Sequence, residues 1–387
     1  MRKIISILTA SRAEYGLLKP LIMKLSLVKE LDVRIVVTGM HLSSDFGLTY
    51  REIENDGFKI DKKIDILLNS CTSVSVSKSM GLAMIGFAEY FEELKPELLI
   101  VLGDRYETLA ACCAATNARI LIAHLHGGEA TEGLIDEAYR HSITKMSYLH
   151  FTSTEEYRNR VIQLGEDPER VFNVGAIGVE IINNLNYLSK EELEKSINFK
   201  LNDKFALLTF HPVTLENNTV EEQFINTLEA MDMIDDLQII ITKANADMGG
   251  IVINKLIDSY VEQRKEKCIA FESLGQLRYL SAMKYCSFVI GNSSSGIIEV
   301  PSFKKPTINI GDRQKGRVQS ESTINCKPIK SEITNSIEIA LSNDFQKHIE
   351  NIQNPYGDGN TSEKIIIEIL KLLDTKNVSI KKRFYNL

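Results

Sequence analysis

Between Gly103 and His141 the chain gathers carboxylates, imidazoles and arginines around a Gly-Gly turn, just after two apolar runs. Asp104, Glu129 and Asp136, with His126 and His141, can each take up and return a proton, and differences in burial and neighbours can drive their pKa values apart. Arg105 adds a cation beside the first carboxylate. General acid/base chemistry is therefore the expected task. Taken singly, Asp104 reads as a helix cap and Asp136 as the i,i+4 partner of Arg140, but their concentration favours a functional reading. His124 and His126 would share one face if the strand ran that far, yet two imidazoles without a third placed ligand are weak evidence for a metal, and no HExxH pattern is present. Of the two, His126 adjoins the turn at the strand's end and is the better candidate.

A second group of residues is suited to holding an anion. Arg12 follows Ser11 in the loop after the first apolar run, where it could clamp a diphosphate or a carboxylate. The segment Gly291-Asn292-Ser293-Ser294-Ser295-Gly296 follows another such run. Small residues let backbone approach an anion, Ser293 and Ser294 add hydroxyl donors, and the helix start supplies a favourable dipole. It lacks the Gly-Lys-Ser/Thr ending of a P-loop, which argues against triphosphate hydrolysis. Glu299 lies where it could accept from ribose hydroxyls. His211, Asn245 and Arg313 also sit in loops after strands, and His211 beside a diphosphate would be a cationic donor. Together these loops imply a nucleoside diphosphate carrying a further group.

Elements that place such loops are legible as short β-branched runs alternating with helical periodicity, the pattern of βαβ units and a parallel sheet. In the first half we expect strands at 3–9, 32–38, 98–102, 120–124, 149–152 and 171–174, with helices at 15–28, 78–94, 107–116, 134–146 and 155–164. A polar stretch at 183–204 interrupts the pattern, and a second series then places strands at 205–210, 238–242, 268–271, 288–290 and 307–310. The expected fold is α/β, with two doubly wound Rossmann-like domains facing a cleft: 1–182 carrying the acid/base residues, 183–360 binding the nucleotide, and a helix within 361–387 packing back on the first.

Composition agrees with this class. The 387 residues exceed the length at which one core stops growing, roughly 250–300, with 44% hydrophobic and 25% charged content. A net charge of −7 without acidic or basic blocks argues against a nucleic-acid surface or a polybasic membrane contact. The cysteines, at 71, 112, 113, 268, 286 and 326, have neither zinc nor disulfide spacing, so reduced thiols in the cytoplasm are expected. The basic, apolar N-terminus reads as a buried strand because Arg12 and Glu14 follow at once.

These motifs, with Val37-Thr38-Gly39-Met40-His41, Arg140-His141-Ser142-Ile143-Thr144-Lys145-Met146, Phe210-His211-Pro212 and Gly311-Asp312-Arg313-Gln314, occur in an order that resembles the hydrolysing UDP-N-acetylglucosamine 2-epimerases of bacterial sialic acid synthesis. The resemblance implies a glycosyltransferase-B-like fold, a UDP-sugar substrate and released UDP, no cofactor, no metal, and a homo-oligomer, dimer or tetramer. It implies removal of the proton at sugar C2 while UDP departs from C1, then addition of water to a 2-acetamidoglucal. By position, Asp104 and Asp136 match two acid/base carboxylates. The third, a Glu in many relatives, falls at His126, leaving His126 and Glu129 both open. Arg12, His41, Arg105, His141, His211, Asn245, Ser293, Ser294, Glu299 and Arg313 become the expected substrate contacts.

A related hydrolase acting on UDP-N,N′-diacetylbacillosamine for legionaminic acid would share all these motifs, differing in the loop at 41–46 or at 131–134. A glycosyltransferase of the same fold, a non-hydrolysing epimerase and a catalytically dead nucleotide-sugar binder are the other readings.

Overall fold

The computed structural model describes residues 2–68, 72–130, 135–212, 220–244, 248–375 and 378–387. Contacts divide the chain into two compact units: Met1–Glu129, Ile135–Ile181 and Tyr356–Leu387 in the first, Ala130–Leu134 and Ile182–Pro355 in the second.

The first unit is built on β1 (Lys3–Thr9), β2 (Leu31–Thr38), β3 (Ile60–Ile64), β4 (Leu98–Leu102), β5 (Leu121–Leu125), β6 (Leu149–Thr152) and β7 (Val171–Asn173). They form one sheet in the order β3-β2-β1-β4-β5-β6-β7, with parallel pairings throughout. The central strands are buried on both faces, which is why β4 reads Leu-Leu-Ile-Val-Leu without alternation. Ile5, Ile7, Leu98 and Ile100 face one core with Leu18 and Leu25 of the helix Arg12–Ser26. Leu8, Leu99 and Val101 face the other, with Phe87 and Phe91 of the helix Ser73–Leu94. Ile365 and Ile369 of the helix Thr361–Asp374 join the first of these cores.

The second unit contains β8 (Phe205–Thr209), β9 (Gln238–Thr242), β10 (Cys268–Phe271), β11 (Phe288–Gly291), β12 (Thr307–Ile310) and β13 (Thr323–Cys326), in the order β10-β9-β8-β11-β12-β13. In each sheet the order reverses direction beside its first strand, between β1 and β4 and between β8 and β11. Loops leaving the C-terminal ends of these pairs diverge and open a crevice, the usual ligand position in doubly wound sheets.

Several elements went beyond expectation. β3 and β13 are edge strands, and a capped helix, Lys190–Ile197, lies inside the supposed polar break at 183–204. β5 runs on to Leu125, so His124 lies within the strand and His126 just beyond it. Among the described residues no helix is long and apolar enough to cross a membrane.

Candidate functional site

In the first unit the loop after β4 turns at Gly103, whose φ of +75° suits glycine and whose N–H donates to the Leu125 carbonyl at 3.0 Å. Asp104 follows and is ion-paired with Arg140. That guanidinium, 2% exposed, comes from the helix Asp136–Met146, and it also donates to Glu137 at 2.6 Å and to the Glu129 carbonyl at 2.7 Å. One arginine thus ties together the Asp104 loop, the Gly-Gly-Glu turn and the first turn of this helix. Glu137 in turn accepts from His141 at 3.0 Å. Asp136, the first helical residue, has its carboxyl pKa raised by burial and by the nearby Asp104 carboxylate, against the pull of Arg105 and Arg140.

The His-Gly-Gly-Glu turn has a physical reason at every position. His126 adopts φ +65°, unusual for a residue with a side chain, and so turns away from the β5 direction. The strand face it was expected to share with His124 does not continue. A Cβ at Gly127 would lie 3.0 Å from His124 Nδ1 and 3.1 Å from Thr144 Oγ1, while one at Gly128, φ +78°, would collide with the Tyr157 carbonyl. Nδ1 of His126 lies 2.9 Å from Glu129 Oε1, which also accepts from Ser153 at 3.1 Å. Glu129 is 5% exposed. An ionised Glu129 accepts only, so it places the imidazole proton on Nδ1 and leaves Nε2 for chemistry. Among the described residues Nε2 has no hydrogen-bond partner.

Beside this set, Arg105 makes a two-pronged contact with the fully buried Glu107, at 3.2 and 3.0 Å. Its Nε lies 3.7 Å from Glu14. Burial raises the Glu14 pKa to about 7, opposed by Arg105 and by the Ala10 N–H that donates to it at 2.7 Å. Neither Glu14 nor Glu107 was among the expected site residues, although Ser11-x-x-Glu14 has the spacing of a capping box. Arg12 remains half exposed, 3.5 Å from Glu52. His41 must be revised. Its ring is fully buried between the hydroxyls of Thr9 and Thr49, at 3.0 and 2.9 Å, and burial lowers its pKa to about 4. With both nitrogens engaged it organises the loop after β2 and offers no polar atom to a ligand.

In the second unit the loops after β8, β11 and β12 converge on Asn292, which is 1% exposed. Its side chain accepts from the His211 N–H at 2.7 Å and donates to the His211 carbonyl at 2.8 Å. Its own carbonyl accepts from Arg313 at 3.0 Å and Gln314 at 2.9 Å. Gly291 is required before it, because a Cβ there would overlap the Thr209 carbonyl. Ser293 caps the short helix Ser294–Ile298, accepting from the Ser295 N–H, and the Ser295 hydroxyl donates to Glu299. Burial raises the Glu299 pKa, with Ser295 opposing. His211 also departs from expectation: burial, then Arg313, lower its pKa to about 4, so without an anion it is neutral rather than cationic. His211, Asn292, Ser293, Ser294, Glu299 and Arg313 therefore belong to one set of strand-end loops. Asn245 and residues 131–134 lie outside the described residues.

A family model described as UDP-N-acetylglucosamine 2-epimerase matches residues 23–371. The chain belongs to the UDP-N-acetylglucosamine 2-epimerase family. It is 43% identical, over 99% of both chains, to a GDP/UDP-N,N′-diacetylbacillosamine 2-epimerase (hydrolyzing) of Campylobacter jejuni. It is 39% identical to polysialic acid biosynthesis protein P7 of Escherichia coli, over 100% of this chain and 98% of that one. The crystal structure of UDP-GlcNAc 2-epimerase from Neisseria meningitidis bound to UDP-GlcNAc superposes with a TM-score of 0.82, covering 95% of this chain and 100% of that one at 20% identity. This epimerase family member accordingly has the glycosyltransferase-B-like fold of two Rossmann-like domains. Arg140 and Asn292 are the structural hubs that sequence reasoning missed. Both stood inside quoted motifs, but their partners lie 36 and 81 residues away.

Proposed function

We propose that the chain is a hydrolysing 2-epimerase of a UDP-activated 2-acetamido sugar. The loops after β8, β11 and β12 take the nucleoside diphosphate: anionic oxygens meet Arg313, the Ser293 and Ser294 hydroxyls and the helix start, and Glu299 takes ribose hydroxyls. Fixed donors of this kind stabilise the charge that develops on UDP as the C1–O bond breaks.

The observation carrying the acid/base assignment is the contrast between two neighbouring carboxyls. Asp104 is paired with Arg140, whereas Asp136 has its pKa raised by burial and by Asp104. A carboxylate held in an ion pair is placed to accept a proton, and a neighbour whose pKa is raised is the one placed to supply one. Asp104 takes the C2 proton as UDP leaves with the electron pair of the C1–O bond, giving the 2-acetamidoglucal. Asp136 returns a proton to C2 from the other face, and His126, oriented by Glu129, removes a proton from the water that adds at C1. Water and UDP-N-acetylglucosamine then give N-acetylmannosamine and UDP, the first step towards sialic acid.

A second substrate is favoured by the 43% identical relative: UDP-N,N′-diacetylbacillosamine, which undergoes the same change at C1 and C2. NMR of the reaction in deuterated water with each UDP-sugar tests both. Free manno-configured sugar carrying deuterium at C2, with UDP released and no acceptor present, is the expected result, and the ratio of kcat/KM names the substrate. UDP release that requires an acceptor would show a glycosyltransferase instead, and return of the epimerised UDP-sugar a non-hydrolysing epimerase.

A further inference from the structure

His124 has no part in the chemistry just described, yet it links both candidate C2 carboxyls. Its ring is fully buried in β5. Burial lowers its pKa to about 3, so the imidazole is neutral and has a single N–H. Nε2 lies 2.8 Å from the Gly103 carbonyl, which can only accept, and this places the proton on Nε2. Nδ1 is then the acceptor for the Thr144 hydroxyl at 3.2 Å. Gly103 immediately precedes Asp104. Thr144 stands about two turns along the helix that begins at Asp136. A side chain at Gly127 would press on both ends of the His124–Thr144 contact, so the Gly-Gly turn keeps that contact possible.

We propose that His124 is a positioning residue for the reaction: by donating to the Gly103 carbonyl and accepting from Thr144, it fixes Asp104 against Asp136. The inference rests on the proposed epimerase reaction. A histidine serving only to fill the core would depend on shape alone. A positioning histidine depends on having a donor on one side and an acceptor on the other.

Four single variants separate these roles. Thr144→Val keeps the volume and removes the hydroxyl, Thr144→Ser restores it, His124→Leu removes both ring contacts, and His124→Gln keeps an amide donor near the Nε2 position. The assay is UDP release in steady state with C2-protiated and C2-deuterated substrate, with UDP affinity and thermal midpoint measured on each protein. Thr144→Val and His124→Leu are expected to lower kcat by roughly 10²-fold, the scale of a displaced catalytic group. KM and UDP affinity should stay unchanged and the deuterium isotope effect should rise. Thr144→Ser should recover most of kcat, His124→Gln, which keeps the donor and loses the acceptor for Thr144, should match Thr144→Val, and His124→Leu/Thr144→Val should be no slower than His124→Leu. A folded Thr144→Val protein with wild-type kcat overturns the inference, as does a parallel loss of kcat and UDP affinity or a Thr144→Ser no faster than Thr144→Val. Wild-type protein that releases no UDP from either sugar refutes the epimerase reading itself, a result distinguishable from all of these.

Discussion

The side-chain amide of Asn292 grips the backbone of His211 at both its N–H and its carbonyl, at 2.7 and 2.8 Å. This grip ties the loops after β8 and β11 together, and Arg313 and Gln314 add the loop after β12 by donating to the Asn292 carbonyl. Asn292→Ala leaves two part-buried backbone groups of His211 without that partner, a loss of at most about 1–3 kcal/mol, the value for an unsatisfied buried group. Asn292→Asp keeps the acceptor but sets an oxygen against the His211 carbonyl and a negative charge beside the anion site, so it should be no better than alanine. Denaturant unfolding gives the stability, and calorimetric titration with UDP should show weaker binding in the same order. Equal UDP affinity in all three proteins would show that the grip serves folding alone.

His211 gives UDP binding a pH signature. Its pKa, near 4 in the free protein, is lowered by burial and by Arg313. A bound diphosphate brings negative charge beside the ring and raises that pKa, so binding takes up a proton. UDP affinity should therefore strengthen as pH falls through the bound-state pKa and level off below about 4. His211→Asn, which cannot titrate, should flatten that part of the curve. A wild-type affinity independent of pH across the range would show that the ring and the diphosphate do not meet.

Glu14 produces a trend in the same direction, in stability. Its folded-state pKa is raised from 4.5 to about 7, so the folded chain retains a proton that the unfolded chain gives up. The stability linked to this proton is full below pH 4.5 and is lost as pH rises through about 7. Glu14→Gln is neutral throughout. Relative to it, the wild-type thermal midpoint should decline between those limits, and coincident curves for the two proteins would contradict burial of the ionisable form.

The contrast between Asp104 and Asn292 shows which parts of the site were legible in the sequence and which were not. Residue type and position after a strand pointed to Asp104, Glu129, Asp136, His126 and Ser293, because strand and helix periodicity is local. Asn292, and Arg140 in its pairing with Asp104, act through partners far along the chain, which no local pattern carries. Environment was equally hidden: His41 was an expected substrate contact and His211 an expected cationic donor, and the fold turns both neutral by burying them. Among the elements, β3 (Ile-Asp-Lys-Lys-Ile) and β13 (Thr-Ile-Asn-Cys) escaped because edge strands pair on one side only and carry polar side chains. The helix Lys190–Ile197 did leave a signal, the Ser189-x-x-Glu192 capping box, hidden by the polar composition around it.

The end of the chain supports the helix that begins at Asp136. Lys382 Nζ donates to the carbonyls of Lys145 and Ser147, at 2.9 and 2.5 Å, where that helix ends, and it reaches the buried Glu166 at 2.6 Å. Glu166 keeps His150 and Lys145 as partners when Lys382 is removed. Lys382→Ala should therefore cost about 1.5–3 kcal/mol, the value of a charged hydrogen bond, and less than breaking an isolated buried pair. Unfolding measured by near-UV circular dichroism checks the stability. UDP affinity should be unchanged, since the nucleotide loops belong to the other unit.

The pairing of His126 with Glu129 decides how their separate substitutions should combine. If Glu129 acts by holding the ring proton on Nδ1, then His126→Asn removes the reacting group, and Glu129→Gln leaves it present with its tautomer no longer fixed. Loss of a general acid/base group typically costs ~10²–10⁴-fold, so His126→Asn should fall in that range, with Glu129→Gln slowed less. Groups acting in series are not additive: His126→Asn/Glu129→Gln should be no slower than His126→Asn alone. The step concerned is water addition, so UDP should still be released in the single variants while free sugar, deuterated at C2, forms slowly and the 2-acetamidoglucal accumulates. Independent, multiplying losses in the double variant would assign Glu129 a proton-transfer role of its own. Loss of UDP release in His126→Asn, with no 2-acetamidoglucal formed, would move the imidazole from the water step to C2.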